Sequence, residues 1–158
     1  KDLVYTGKYR LTDTVKGCPL TVGKLVLSPT RTYAPVVRAM LQEHRGDIRG
    51  MIHCSGGGQT KILHFIDKLH VVKDNLFETP LLFRIIQRES QTPWREMYSV
   101  FNMGHRMELY VDSEAVADDL IRISKSFGVD AQVVGRVEAA DKASVTITHQ
   151  NGTFDYYK

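Results

Sequence analysis

The sequence predicts an α+β fold: a mixed, mainly antiparallel sheet with helices packed on it. Two patterns carry that expectation. Short apolar runs of strand length are interleaved with stretches whose apolar residues recur at spacings of three and four. Strands and helices do not alternate strictly, and the final portion reads strand, helix, strand, strand, which fits an α+β sheet. The 158 residues, 42% hydrophobic and 25% charged, suit one soluble domain with its own core.

Residues Lys1 to Gly23 are polar and without a clear period, and read as an extended arm. The domain proper is expected over residues 24–158. Lys24-Leu25-Val26-Leu27 reads as a short strand stopped by Ser28-Pro29. Pro35 suits a first helical turn, and Val36, Val37, Met40 and Leu41 give that helix its apolar stripe until Gly46. Ile48 to Cys54 is the central strand. After a glycine loop, Ile62, Leu63 and Ile66 mark a helix, and His70-Val71-Val72 a brief extended piece. Thr79-Pro80 and Thr92-Pro93 are helix starts, with Thr79 as N-cap. Leu81, Leu82, Ile85 and Ile86 form the buried face of the first of these helices. Trp94, Met97, Tyr98 and Phe101 share one face of the second, a core stripe.

Met107 to Val111 alternates as a strand, and Asp112-Ser113 caps a helix with Val116, Leu120, Ile123 and Phe127 inward and Gly128 at its end. Asp130 to Val137, Ser144 to Thr148 and Phe154 to Tyr157 read as strands, with a turn at Asn151-Gly152.

The formal charge of +3 comes from scattered basic residues. That balance suits a small anionic ligand and gives little reason to expect nucleic acid. No apolar run approaches a membrane span, and no signal peptide is expected. Cys18 and Cys54 match no zinc or redox spacing and read as reduced thiols of a cytoplasmic protein, with Cys54 buried at a strand end. His44, His64, His70, His105 and His149 show no spacing that argues for a metal site. The opening residues read as the middle of a longer chain.

The stretch that carries chemistry is Ile52-His53-Cys54-Ser55-Gly56-Gly57-Gly58, an apolar run broken by three glycines ahead of a helical pattern. Consecutive glycines are entropically costly and persist where φ must be positive or where something approaches the backbone. A strand-to-helix loop of this kind aims free N–H groups at one point, so phosphate is the obvious guest. A plain tight turn fits the spacing too, because this is neither a Walker loop nor GxGxxG.

Three strings then point to a family. Pro29-Thr30-Arg31-Thr32-Tyr33, Gly50-Met51-Ile52-His53-Cys54-Ser55-Gly56-Gly57-Gly58 and Met97-Tyr98-Ser99-Val100-Phe101-Asn102-Met103-Gly104 resemble, in order and spacing, motifs of one family. It is the C-terminal domain of aminoimidazole ribonucleotide synthetase, or phosphoribosylformylglycinamidine cyclo-ligase. The family's forms are close to PTRxY, GxxHxTGGG and MYxxFNMG. Ser55 stands where Thr is usual, Cys54 where an aliphatic residue is usual, and His105-Arg106 replace an aliphatic residue and Gly.

The resemblance implies an ATP- and magnesium-dependent ligase of purine biosynthesis that closes formylglycinamidine ribonucleotide to aminoimidazole ribonucleotide. It implies that ATP and metal are held mainly by an N-terminal domain whose DGVGTK-type motif is absent here. This chain alone is then expected to be inactive, the whole enzyme to be a homodimer, and Lys1 to Gly23 to resemble the end of an insertion found in some members. Two rivals are another ATP-using member of the superfamily, such as formylglycinamidine ribonucleotide amidotransferase, and a non-catalytic interaction domain.

With the family match, Ser55, Gly56, Gly57 and Gly58 are the expected substrate-phosphate loop. Ser55 either adds a hydroxyl to the anion or bonds its own helix start. Thr30 and Arg31 are further phosphate candidates; Arg31 pairs bidentately with phosphate or makes a salt bridge. Asn102 contacts substrate or the other domain, or ends its helix in a left-handed conformation. His53 is the one acid–base candidate, against a reading as a core histidine.

Overall fold

A computed structural model describes residues 7–28 and 31–158. Thr30, with Pro29, lies outside the described residues. The elements run α1 (Val22–Val26), α2 (Ala34–His44), β1 (Ile48–His53), a 3-10 helix (Gly58–His64), β2 (Leu69–Lys73), α3 (Leu81–Ser90), α4 (Trp94–Val100), β3 (Met107–Val111), α5 (Glu114–Ser126), β4 (Gly135–Ala139), β5 (Ser144–His149) and β6 (Gly152–Tyr157). The strands form two sheets. β1 pairs antiparallel with β3, and four strands follow the order β4-β2-β5-β6. In the larger sheet only β2 and β5 run parallel. The fold is the mixed, mainly antiparallel α+β arrangement expected.

Two apolar clusters hold the layers. Val36 and Met40 of α2 meet Leu120 and Ile123 of α5 over Ile48, Leu109 and Val111 of the small sheet. The larger cluster joins Ile52, Cys54, Ile62, Leu63 and Val71 to Met97, Tyr98, Met103, Val145 and Ile147. Thus the glycine loop leaves β1 with core residues on both sides of it.

Several local expectations are corrected. Lys24-Leu25-Val26-Leu27 is not a strand: Thr21 caps a helical turn by accepting from the Lys24 amide, so the run folds as α1. A four-residue apolar run has no period that separates the two. Thr79 is not a capping side chain. Pro80 occupies the cap position with φ −56° and ψ 148°, α3 begins at Leu81, and Thr79 is buried. A residue before proline is held extended, which keeps Thr79 one step outside the helix. Phe127 does not close the buried face of α5 and is exposed, because the helix ends at Ser126.

The strand expected from Asp130 begins only at Gly135. The preceding carbonyls turn elsewhere: Val134 accepts from the amides of Asp74 and Asn75, and Val133 from the Asn75 side chain. Gly135 itself packs against the Val72 carbonyl, where a Cβ has no room.

Candidate functional site

β1 ends at His53, and the backbone turns at Ser55 through three left-handed glycines with φ of 52°, 88° and 47°. Each role differs. Gly56 is exposed, with open space where a Cβ would stand. Gly58 is buried, and a Cβ there would run into the carbonyls of Phe101 and Tyr98. The loop is therefore clamped at its far end on the C-terminus of α4 and open at its near end. The loop leads into a 3-10 helix rather than the α-helix expected, with Thr60 donating through both its amide and hydroxyl to the Gly57 carbonyl.

Among the described residues, the amides of Gly56, Gly57 and Gly58 find no acceptor in the protein. Three successive unpaired N–H groups at a glycine turn form an anion-attracting corner. Lys61 is a residue that sequence reasoning missed, yet its Nζ lies at this corner, donating to the Ser55 carbonyl at 2.7 Å and the Ser55 hydroxyl at 3.4 Å. The signal was available: a basic residue one turn into a helix after a glycine loop folds back over it.

Among the other described candidates, Arg31 sits apart from the loop. Arg31 is exposed and lines a separate cavity of about 640 Å3, whose walls also include Phe77, His105, Glu108 and Tyr110 but none of Ser55 to Gly58. His53 is exposed at the end of β1 and is not a core histidine. Asn102 is not the left-handed residue of its turn; Met103 is, with φ 51°. The Asn102 Oδ1 accepts from the Gly104 amide at 3.0 Å, which closes the turn locally. Its carbonyl accepts from the Gln59 side chain.

Behind the loop lies a buried polar cluster that the sequence did not predict. Gln59, Lys73, His105 and Glu108 are all buried. The Lys73 ammonium meets the Glu108 Oε1 and donates to the Gln59 carbonyl at 2.6 Å and to its Oε1 at 3.3 Å. His105 Nε2 lies 2.7 Å from the same Glu108 oxygen, and the Tyr110 hydroxyl donates to Oε2 at 2.6 Å.

Burial alone would raise the Glu108 pKa, but the Lys73 charge and the His105 and Lys73 hydrogen bonds outweigh it and bring it down to about 2. An ionised carboxylate only accepts, so His105 Nε2 carries the hydrogen and Nδ1 the lone pair. Burial lowers the His105 pKa against the pull of Glu108, which keeps the ring neutral. Burial, then the neighbouring Glu108 charge, pushes the Tyr110 hydroxyl up.

The donor atoms of Cys54, His105 and Glu108 lie within 4.8 Å of one another, a spacing compatible with a metal ion. The chemistry argues otherwise. Lys73 and His105 already occupy Glu108 Oε1, and burial, chiefly, pushes the Cys54 thiol up to about 12, so it stays protonated. A cation entering there would meet an ammonium instead of a free carboxylate. Nor does this set match the all-oxygen shell magnesium requires.

Residues 10–148 match the family described as AIR synthase related protein, C-terminal domain. The chain belongs to this family. Two relatives, each named phosphoribosylformylglycinamidine cyclo-ligase, illustrate the match. That of Methanocaldococcus jannaschii is 37% identical over 117 residues, covering 74% of this chain and 33% of the relative. That of Carboxydothermus hydrogenoformans is 34% identical over 144 residues, covering 90% and 41%. The chain thus spans about a third to two fifths of these relatives. The crystal structure of Escherichia coli HypE, a hydrogenase maturation protein, superposes with a TM-score of 0.55 at 13% identity, covering 87% of this chain and 44% of that one. At that identity it shows the shared AIR synthase-like fold alone. No described helix is long and apolar enough to cross a membrane.

Proposed function

We propose that this AIR synthase-related domain is the C-terminal part, residues 24–158, of an ATP-dependent phosphoribosylformylglycinamidine cyclo-ligase, with residues 1–23 an arm or the end of an insertion. Its loop Ser55 to Gly58 takes the 5-phosphate of formylglycinamidine ribonucleotide. The observation that carries the site is the run of three acceptorless glycine amides with Lys61 beside them. Backbone N–H groups and one ammonium offer directed hydrogen bonds and a compensating charge to a phosphate dianion.

In the reaction so read, ATP phosphorylates the amide oxygen of the substrate, an internal nitrogen attacks that carbon, and inorganic phosphate leaves as the imidazole ring closes. This chain holds the substrate's phosphate end. Magnesium and ATP belong mainly to an N-terminal domain. Asn102 contacts substrate or that domain, and Arg31 and Thr30 are further candidate contacts for the phosphate. His53, exposed one strand-end from the loop, is the acid–base candidate. The whole enzyme is a cytoplasmic homodimer.

Crystals of the chain soaked with sulfate, and with a ribonucleoside 5-phosphate, test the site. Density bonded to Gly56 to Gly58 is expected. A loop that stays free of anion at saturating concentration removes it. Activity is tested separately: ATP-dependent aminoimidazole ribonucleotide formation is expected when the N-terminal domain is supplied, and none from this chain alone.

A further inference from the structure

The amides of Gly56 to Gly58 have no acceptor among the described residues, yet the loop's shape has to be fixed if the three are to converge on one anion. Gln59, the residue after Gly58, is fully buried and bonded on every side. Its Nε2 donates to the carbonyls of Asn102 and His105. Its backbone carbonyl and Oε1 both accept from Lys73. Lys73 in turn is anchored by Glu108 Oε1, which His105 Nε2 shares, while the Tyr110 hydroxyl holds Oε2. On the adjoining face, Gly58 rests on the carbonyls of Phe101 and Tyr98.

From this geometry we propose that Gln59, Lys73 and Glu108 are positioning residues. They form a buried brace that ties the glycine loop to β2, to β3 and to the Asn102–His105 turn, and so hold its amides in the anion-receiving arrangement. The proposal rests on the phosphate reading of the loop but concerns different residues, none of which touches the anion.

Its logic is that of satisfied donors. A buried ammonium has three hydrogens to place. Lys73 spends them on one carboxylate and on one residue, Gln59, whose peptide abuts the loop. Removing either partner loosens Gln59, and with it the adjoining Gly58, whose own amide lies two peptide units upstream of the Gln59 carbonyl. A buried ion pair is weak evidence for stability as such. One that spends its remaining hydrogen bonds on a functional loop has a role beyond stability.

The test uses the isotopically labelled chain, inorganic phosphate, and amide NMR of Gly56 to Gly58. Gln59→Leu removes the side-chain bonds. The double variant Lys73→Met with Glu108→Gln removes the charges together, so neither is left buried alone and folding is preserved. Val145→Ala, a cavity in the same core on β5, controls for lost stability.

The expected result is that phosphate shifts the three amides in the parent and in Val145→Ala. Gln59→Leu and the double variant should bind roughly tenfold more weakly, the scale of one lost charge-assisted hydrogen bond. Their Gly57 and Gly58 resonances should already be displaced before phosphate is added. If the parent binds and both variants bind equally well, the brace is overturned and the loop reading stands. If the parent ignores phosphate, the loop reading fails. The brace then stands or falls on whether the glycine resonances of the variants are displaced.

Discussion

The Lys73 ammonium and the Glu108 carboxylate meet inside the protein, with side chains only 2% and 5% exposed. They come from β2 and β3, strands of different sheets, so the pair joins the two sheets directly behind the glycine loop. Removing one partner leaves a buried charge without its counterpart. Lys73→Met alone should therefore cost about 3–5 kcal/mol, whereas Lys73→Met with Glu108→Gln should recover most of that loss. Urea unfolding of both variants reads the difference. Equal losses would show that the pair is not electrostatically coupled.

The same cluster sets an acid limit. Glu108 is held at about 2 against an ordinary 4.5, and His105 lies below its ordinary 6.5. In both cases the unfolded chain binds the proton more readily. Their stabilisation is thus complete above the unfolded values and is lost as pH falls. The His105 contribution declines first, below about pH 6.5, and that of Glu108 between about pH 4.5 and 2. On linkage the Glu108 part is on the order of 3 kcal/mol. Melting temperature across that range should fall in two steps, and Lys73→Met with Glu108→Gln should flatten the lower one.

Periodicity made the strands and long helices legible, and the glycines made the loop legible, because those signals are local. The brace was not. Gln59, Lys73 and Glu108 are spread along the chain, and each looks like an ordinary polar residue in its own window, while His105 stands out only as a departure from the family's motif. Only β2–β3 proximity brings Lys73 to Glu108, and no spacing encodes that. The misreading of Lys24 to Leu27 had another cause, a run too short to show a period and a Thr21 cap that decided it. Arg31 is a phosphate candidate because it is basic and precedes a helix start, and the fold sets it in a cavity whose walls do not include Ser55 to Gly58.

The three glycines should respond differently to a methyl group. Gly56→Ala meets open space and pays only for its left-handed φ, about 1 kcal/mol. Gly58→Ala adds the collision with the Phe101 and Tyr98 carbonyls, the latter 2.8 Å from the new atom, and should lose about 3 kcal/mol or more. Comparable melting temperatures for the two variants would contradict the clamped end of the loop.

The two thiols should separate cleanly. Cys54 is 3% exposed, and burial, then the Glu108 charge, raises its pKa to about 12, while Cys18 is partly accessible. Thiolate is the reactive form. Native protein at pH 8 should therefore release one equivalent promptly with a disulfide reagent, and the second only on unfolding. Rapid reaction of both would mean that the Cys54 side of the core opens readily.

Lys61 gives the sharpest check on the loop itself. Its Nζ satisfies the Ser55 carbonyl and approaches the Ser55 hydroxyl, contacts that face solvent. Such contacts add little to stability, so Lys61→Met should change the unfolding free energy by no more than about 0.5 kcal/mol. A phosphate at the Gly56 to Gly58 amides would gain a charge-assisted bond from the same ammonium, whose loss should weaken binding about tenfold. Because the charge sits at the surface, that difference should shrink as ionic strength rises. Titration of parent and variant with phosphate at low and high salt measures it. If Lys61→Met leaves phosphate affinity unchanged at low salt, the anion does not bind at this corner.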